Sequence, residues 1–119
     1  ARFPFRPAKL WKAGGWDGIF RSAPHCVIVA NAKNATCVEQ DPLIYLSYFE
    51  LMAQARGIGT LWCGLLYWCL RDVLPDFLPR LGIPDTHQLG YAMLFGYPSI
   101  NYRRTVETRS ALVRHIGWN

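Results

Sequence analysis

From Leu43 to Ala55 apolar residues follow one another almost without a break, and the polar exceptions Ser47, Glu50 and Gln54 are spaced three and then four apart. On a helix that spacing draws one thin polar stripe. Asp41 stands where a cap accepts hydrogen bonds from unpaired amides, and Pro42 suits the first helical position. At the far end Arg56 complements the helix dipole, and Gly57 is placed for the left-handed residue that ends a helix. The pattern therefore predicts a long, buried central helix. With so little polar surface it must be covered by other elements or by a second chain.

Other apolar stretches are shorter. Cys26 to Ala30 has the length and β-branching of a central strand buried on both sides. Leu65 to Leu74 predicts a second helix, stopped by Pro75, with Arg71 and Asp72 near its exposed end. Leu89 to Tyr97 predicts another buried strand, whose glycines mark a bulge or a close backbone approach, and Pro98 closes it. A short helix is expected over Asp17 to Ser22 before the Ala23–Pro24 step, and another over Asp76 to Leu81, stopped by Gly82 with Pro84 beyond. Asn31 to Gln40 is polar and reads as loop. Ala1 to Trp16 carries Arg2, Arg6, Lys9 and Lys12 among prolines and aromatics and reads as an extended arm.

Composition narrows the class. A chain of 119 residues can bury roughly two-thirds of the surface it exposes when unfolded, which is enough for one core. Apolar residues make up 51% and there are five tryptophans, which points to a well-filled core or to surface meant for a partner. The net charge of +5 favours anionic ligands without specifying one. An aromatic and basic arm can grip nucleic acid, but an arm laid on its own domain or a partner explains it more simply, so no nucleic acid partner is expected. The run Leu61 to Leu70 is far short of the ~20 residues that span a bilayer, and no secretory pattern is visible; the cytoplasm is the default. Cys26, Cys37, Cys63 and Cys69 contain no Cys-x-x-Cys pair, so no metal site is expected and reduced thiols are the natural state.

Two features carry candidate chemistry. Gly57, Gly59 and Gly64 bracket Thr60, Leu61, Trp62 and Cys63. Glycines there let backbone amides approach a flat or anionic ligand, and they equally suit a helix stop followed by a tight strand-to-helix turn. Arg103, Arg104, Arg109 and Arg114 follow the last strand. They read either as a solvated basic tail or as the guanidinium groups a phosphate requires. No acid, base and nucleophile keep company along the chain, so no catalytic side chain is assigned.

An ordered set of segments resembles the C-terminal half of an FMN-dependent nitroreductase-family domain. The segments are Ala23-Pro24-His25 leading into Cys26–Ala30, the helix at Asp41-Pro42, and Ala53-Gln54-Ala55-Arg56-Gly57-Ile58-Gly59-Thr60 with Trp62-Cys63-Gly64. Leu89-Gly90-Tyr91-Ala92-Met93-Leu94-Phe95-Gly96-Tyr97-Pro98 and Tyr102-Arg103-Arg104-Thr105 complete it. The resemblance runs from about residue 18 to residue 109, between an arm over 1–17 and a tail over 110–119, and is nearest to the branch whose members sometimes carry a ferredoxin-like iron–sulfur module upstream. It implies an α+β, nitroreductase-like fold in a single partial domain, with the N-terminal half missing.

The functional expectations follow from that resemblance. FMN would take hydride from NADH or NADPH and pass reducing equivalents to a nitroaromatic or quinone-like acceptor, with the protein supplying binding and electrostatics. Main-chain amides at Trp62, Cys63 and Gly64 would face the flavin, and Arg104, with Arg103 or Arg109, would hold its phosphate. Family sites lie at a dimer interface, so a homodimer, or pairing with the absent half, is expected. The family's Arg- and Ser-containing phosphate segment has no counterpart here. The competing expectation is a non-catalytic remnant that keeps the long helix and acts by association.

Overall fold

A computed structural model describes residues 17–118. Three strands, β1 (His25–Ala32), β2 (Gly59–Trp62) and β3 (His87–Gly96), form an antiparallel sheet in the order β1-β3-β2. Helix α1 (Gln40–Ala55) joins β1 to β2, and the short α2 (Gly64–Trp68) follows β2 directly. The fold is α+β, as the resemblance implies.

The centre belongs to β3. Successive side chains on a strand point to opposite faces, and β3 uses both. Ala92 and Leu94 join Cys63, Leu66, Leu70 and Leu89 in one buried cluster, with Ile28 packed against it. On the other face Met93 is fully buried, and Phe49 of α1 meets Phe95 edge-on with ring centroids 5.2 Å apart. The sheet is thus covered by α1 on one side and by α2 with its continuation on the other. The run Cys26–Ala30 does not occupy the centre: β1 lies at an edge of the described sheet, with Cys26 exposed. Its β-branched residues suit a pleated, half-buried surface, which an edge strand offers as well as a central one.

Helix α1 starts earlier than its sequence suggests. Glu39 is the N-cap, without a side-chain cap, and the Asp41 amide donates to the Cys37 carbonyl at 3.0 Å. Asp41 is an acid of the first turn, not the cap, and its carboxylate accepts a 3.4 Å bond from Asn31 Nδ2. The end is as expected. Gly57 has φ +71°, its amide donates to Gln54, and Ile58 donates to Ala53, the paired bonds of a Schellman closure. Within this chain the helix is buried on one side only, through Pro42, Leu46 and Ala53. Leu43, Ile44, Tyr45, Tyr48, Leu51 and Met52 are all exposed, Leu51 to 69%.

Smaller departures have local causes. Asp17 to Ser22 is a capped turn, not a helix: the Asp17 carboxylate accepts from the amides of Ile19, Phe20 and Ser22, while Arg21 and Ser22 adopt left-handed φ of 49° and 60°. The second helix is α-helical to Trp68 and continues as a π-helical turn over Cys69–Val73, closed by the Leu74 amide on Cys69. The helix expected over Asp76 to Leu81 is two 3-10 turns, Pro75–Phe77 and Pro79–Leu81. Pro79 has no N–H with which to continue an α-helix through them. The polar loop is shorter than expected, since Asn31 and Ala32 extend β1. Of the arm expected over 1–17, all but Asp17 lies outside the described residues. Residues 97–118 contain no helix or strand. Among the described residues no helix is long and apolar enough to cross a membrane, and the four cysteines are unpaired.

Candidate functional site

The site is built on the free edge of β2. The Cys63 amide donates to the Ala92 carbonyl at 2.9 Å, which fixes the phase of the ladder with β3. In an antiparallel pair bonded positions alternate, so Leu61 and Gly59 face β3 while the amides of Thr60 and Trp62 point out of the sheet. Gly64 opens α2 at a position where a helix amide has no partner within its own helix. The outward donors of the strand are therefore those of Thr60 and Trp62. Cys63 is turned inward: its side chain is buried, its amide is engaged, and its thiol lies 3.5 Å from the Ile19 carbonyl.

The Trp62 ring is held from two directions. Its Nε1 donates to Glu50 Oε2 of α1 at 2.7 Å, and its face meets Tyr91 edge-on at 5.6 Å. Tyr91 stacks on Tyr67 at 4.8 Å, and the Arg71 guanidinium lies 4.9 Å over the Tyr67 ring. Arg71 in turn grips Asp72 through Nε and a terminal nitrogen, at 2.9 and 2.7 Å, and holds that carboxyl below its ordinary pKa. Gly64 completes the arrangement, since a Cβ there would stand 3.0 Å from the Tyr91 hydroxyl.

Beside this edge lies a cleft of ≈ 530 Å³. Its walls are Glu50 and Gln54 of α1, the turn from Gly57 to Thr60, and the segment from Ile100 to Thr105, which includes Arg103 and Arg104. A second cleft, of ≈ 640 Å³, shares Gly59 and Thr60 with the first and is more apolar, with Phe20, Leu61, Phe95 and Tyr97 in its lining. Both clefts touch Pro98, Ile100 and Tyr102.

The expected site residues divide accordingly. Arg103 and Arg104 share the first cleft with the start of the glycine turn, whereas Arg109 is exposed and absent from its lining. Trp62, Cys63 and Gly64 do not line it; Trp62 lies two residues along β2 from Thr60, about 7 Å at strand spacing. Sequence reading missed Glu50 and Gln54 as site residues. Their signal was present in the polar stripe on an otherwise apolar helix, for two of its three members face this cleft. Among the described residues no cluster of His, Cys, Asp or Glu is arranged to hold a metal ion.

Among the described residues a three-stranded antiparallel sheet clad by helices, with an arginine-bearing cleft beside a strand edge and a glycine turn, makes an α+β domain. The chain belongs to the nitroreductase family, whose profile matches residues 4–97. A comparison with curated proteins found no match. Among solved structures, an FMN-bound nitroreductase from Bacteroides fragilis is similar at 23% identity and a TM-score of 0.65, with 82% of this chain and 54% of that one covered. An FMN-bound nitroreductase from Desulfitobacterium hafniense gives 22% identity, a TM-score of 0.65, and coverage of 85% and 54%. The chain therefore spans about half the length of the structures it resembles.

Proposed function

We propose that this chain forms part of an FMN-dependent oxidoreductase that moves reducing equivalents from NAD(P)H to nitroaromatic or quinone-like acceptors. The observation that carries the reading is the shared cleft: Arg103 and Arg104 line it together with a glycine turn that runs directly into the edge amides of β2. The residues present fit the group. Guanidinium forks suit a phosphate, and a Cβ at Gly57 would meet nothing within 4 Å, so the turn leaves open space beside the cleft.

When bound, FMN would supply the hydride chemistry. Arg103 and Arg104 would neutralise its phosphate. The outward amide of Trp62 and the first-turn amide of Gly64 would offer donors to the ring edge, stabilising negative charge that develops there on reduction. Cys63 would serve as packing only, because both its amide and its thiol face inward. Arg109 has no part in this arrangement. The single partial domain would run over residues 1–119, with the region of resemblance over 18–109, work in the cytoplasm, and be completed either by a second copy or by a polypeptide supplying the rest of the fold.

The test is a flavin titration. The chain, alone and mixed with a polypeptide supplying the remaining part of a nitroreductase fold, is titrated with FMN and with riboflavin by fluorescence quenching. FMN is expected to bind more tightly, and R103A/R104A to erase the difference, with NAD(P)H oxidation supported by a quinone in the reconstituted mixture. Free FMN in every mixture overturns the proposal. A second reading, a non-catalytic association module, is favoured by the exposed apolar row on α1. Self-association with no flavin retained in any mixture would select it.

A further inference from the structure

Helix α1 is inverted relative to an ordinary surface helix. Its apolar residues Tyr48 and Leu51 stand exposed, while its polar stripe turns toward a cleft. Glu50 and Gln54 are four residues apart, hence neighbours on one face, and both line the cleft that holds Arg103 and Arg104. An acid is out of place in a site built only for an anion, since like charge there opposes binding. It is in place if the ligand also carries hydrogen-bond donors. Only one oxygen of Glu50 is engaged: Oε2 accepts from Trp62, whereas Oε1 takes no bond from any described residue. Neither Arg103 nor Arg104 forms an ion pair with it among the described residues. Glu50 therefore sits midway, bonded to the Trp62 ring on one side and open to the arginine-lined cleft on the other.

We infer that Glu50 and Gln54 read the hydroxyl groups of a phosphorylated polyol chain, the part of the ligand that runs between an anion at Arg103 and Arg104 and a ring near Trp62. This rests on the flavin reading above and assigns the share of that site which neither the arginines nor the strand edge supplies. A carboxylate accepts from a hydroxyl with the strength of a charge-assisted bond. Held by the Trp62 indole, it loses little side-chain freedom in doing so. Gln54, exposed and one turn further on, adds a weaker, neutral contact.

Three flavins separate the parts: FMN has phosphate and polyol, riboflavin has the polyol alone, and lumiflavin has neither. In the reconstituted preparation, E50L is expected to weaken FMN and riboflavin by the same factor, about 10-fold or more, and to leave lumiflavin unchanged. E50Q keeps an acceptor for Trp62 and should show the same pattern, smaller. Q54L, at an exposed position whose side chain makes no hydrogen bond to a described residue, should weaken FMN and riboflavin by about 2- to 10-fold. R104A should affect FMN alone. The inference is overturned if the Glu50 and Gln54 variants leave riboflavin unaffected. It is equally overturned if they weaken lumiflavin as much, since Glu50 would then act only through Trp62. If the unsubstituted protein binds none of the three, the flavin reading itself fails, and this inference with it.

Discussion

Gly90 of β3 lies directly beneath Pro42 of α1, and no side chain fits between them. A Cβ at Gly90 would fall inside the van der Waals surface of the Pro42 ring and 2.9 Å from the Val29 carbonyl. The register of β1 against β3 slips at this point, with Val29 opposite Tyr91 and Ala30 opposite Leu89, so Gly90 is the extra residue of a bulge. The contact docks the first turn of α1 on the sheet and so sets the depth at which the whole helix, Glu50 included, meets β2.

Substitution there should disturb the fold more than its size implies. Gly90→Ala is expected to destabilise by about 3 kcal/mol, at the upper end of ordinary overpacking, because a proline ring and a backbone carbonyl cannot swing aside. Urea unfolding followed by circular dichroism measures it, and an unchanged midpoint would show that α1 is docked some other way.

Two leucines on α1 should behave oppositely. Leu46 is fully buried, and Leu46→Ala should cost about 3 kcal/mol through lost packing and the cavity left behind. Leu51 is largely exposed within the chain, so Leu51→Ala should change monomer stability by less than about 0.5 kcal/mol. If a second copy covers this face, Leu51→Asp with Tyr48→Asp should lower the sedimenting mass and remove any concentration dependence of Tm, with the circular dichroism spectrum unchanged.

The end of α1 tests backbone conformation alone. At φ +71° with open space around its Cα, Gly57 resists substitution for conformational reasons and not for lack of room. Gly57→Ala should cost about 1–2 kcal/mol, and Gly57→Asn less, since Asn tolerates left-handed backbone. Equal losses from both, measured by thermal unfolding, would point to a contact at this position instead.

The turn at the start of the described chain should loosen in acid. The amide of Phe20, seconded by those of Ser22 and Ile19, holds the Asp17 carboxyl below its ordinary value of 3.8. A pKa lowered by folding adds stability that is present above the unfolded value and lost as pH falls through the folded one. The Phe20 and Ile19 amide resonances should therefore titrate below pH 3.8 in the folded protein, and that titration should vanish in Asp17→Asn. Persistence in the variant would assign it to another group.

The sequence disclosed its elements where local chemistry was decisive. Gly57 marked the helix end because few other residues accept left-handed backbone. Pro75 and Pro98 marked stops because they lack a donor, and the glycines of β3 announced a bulge that is present at Gly90. Asp17 to Ser22 misled because an Asp followed by helix-tolerant residues suits a capped turn as well as a helix. Of the site, the arginines and the glycine turn were legible as residue types, and Glu50 was legible only as one member of an unexplained polar stripe.

Periodicity and breakers act over a few residues, so the sequence by itself determined the long helix, the strands at Cys26–Ala30 and Leu89–Tyr97, and the family resemblance, while β2 was read only as a glycine turn. Tertiary structure alone decided that β3 and not β1 takes the centre, that the Cys63 amide turns inward, and that Arg103 and Arg104 line one cleft with the turn at Gly57 while Arg109 does not. Each of these depends on which segments pair across many intervening residues. Strand order and ladder phase are properties of those distant pairings and leave no mark on the local pattern.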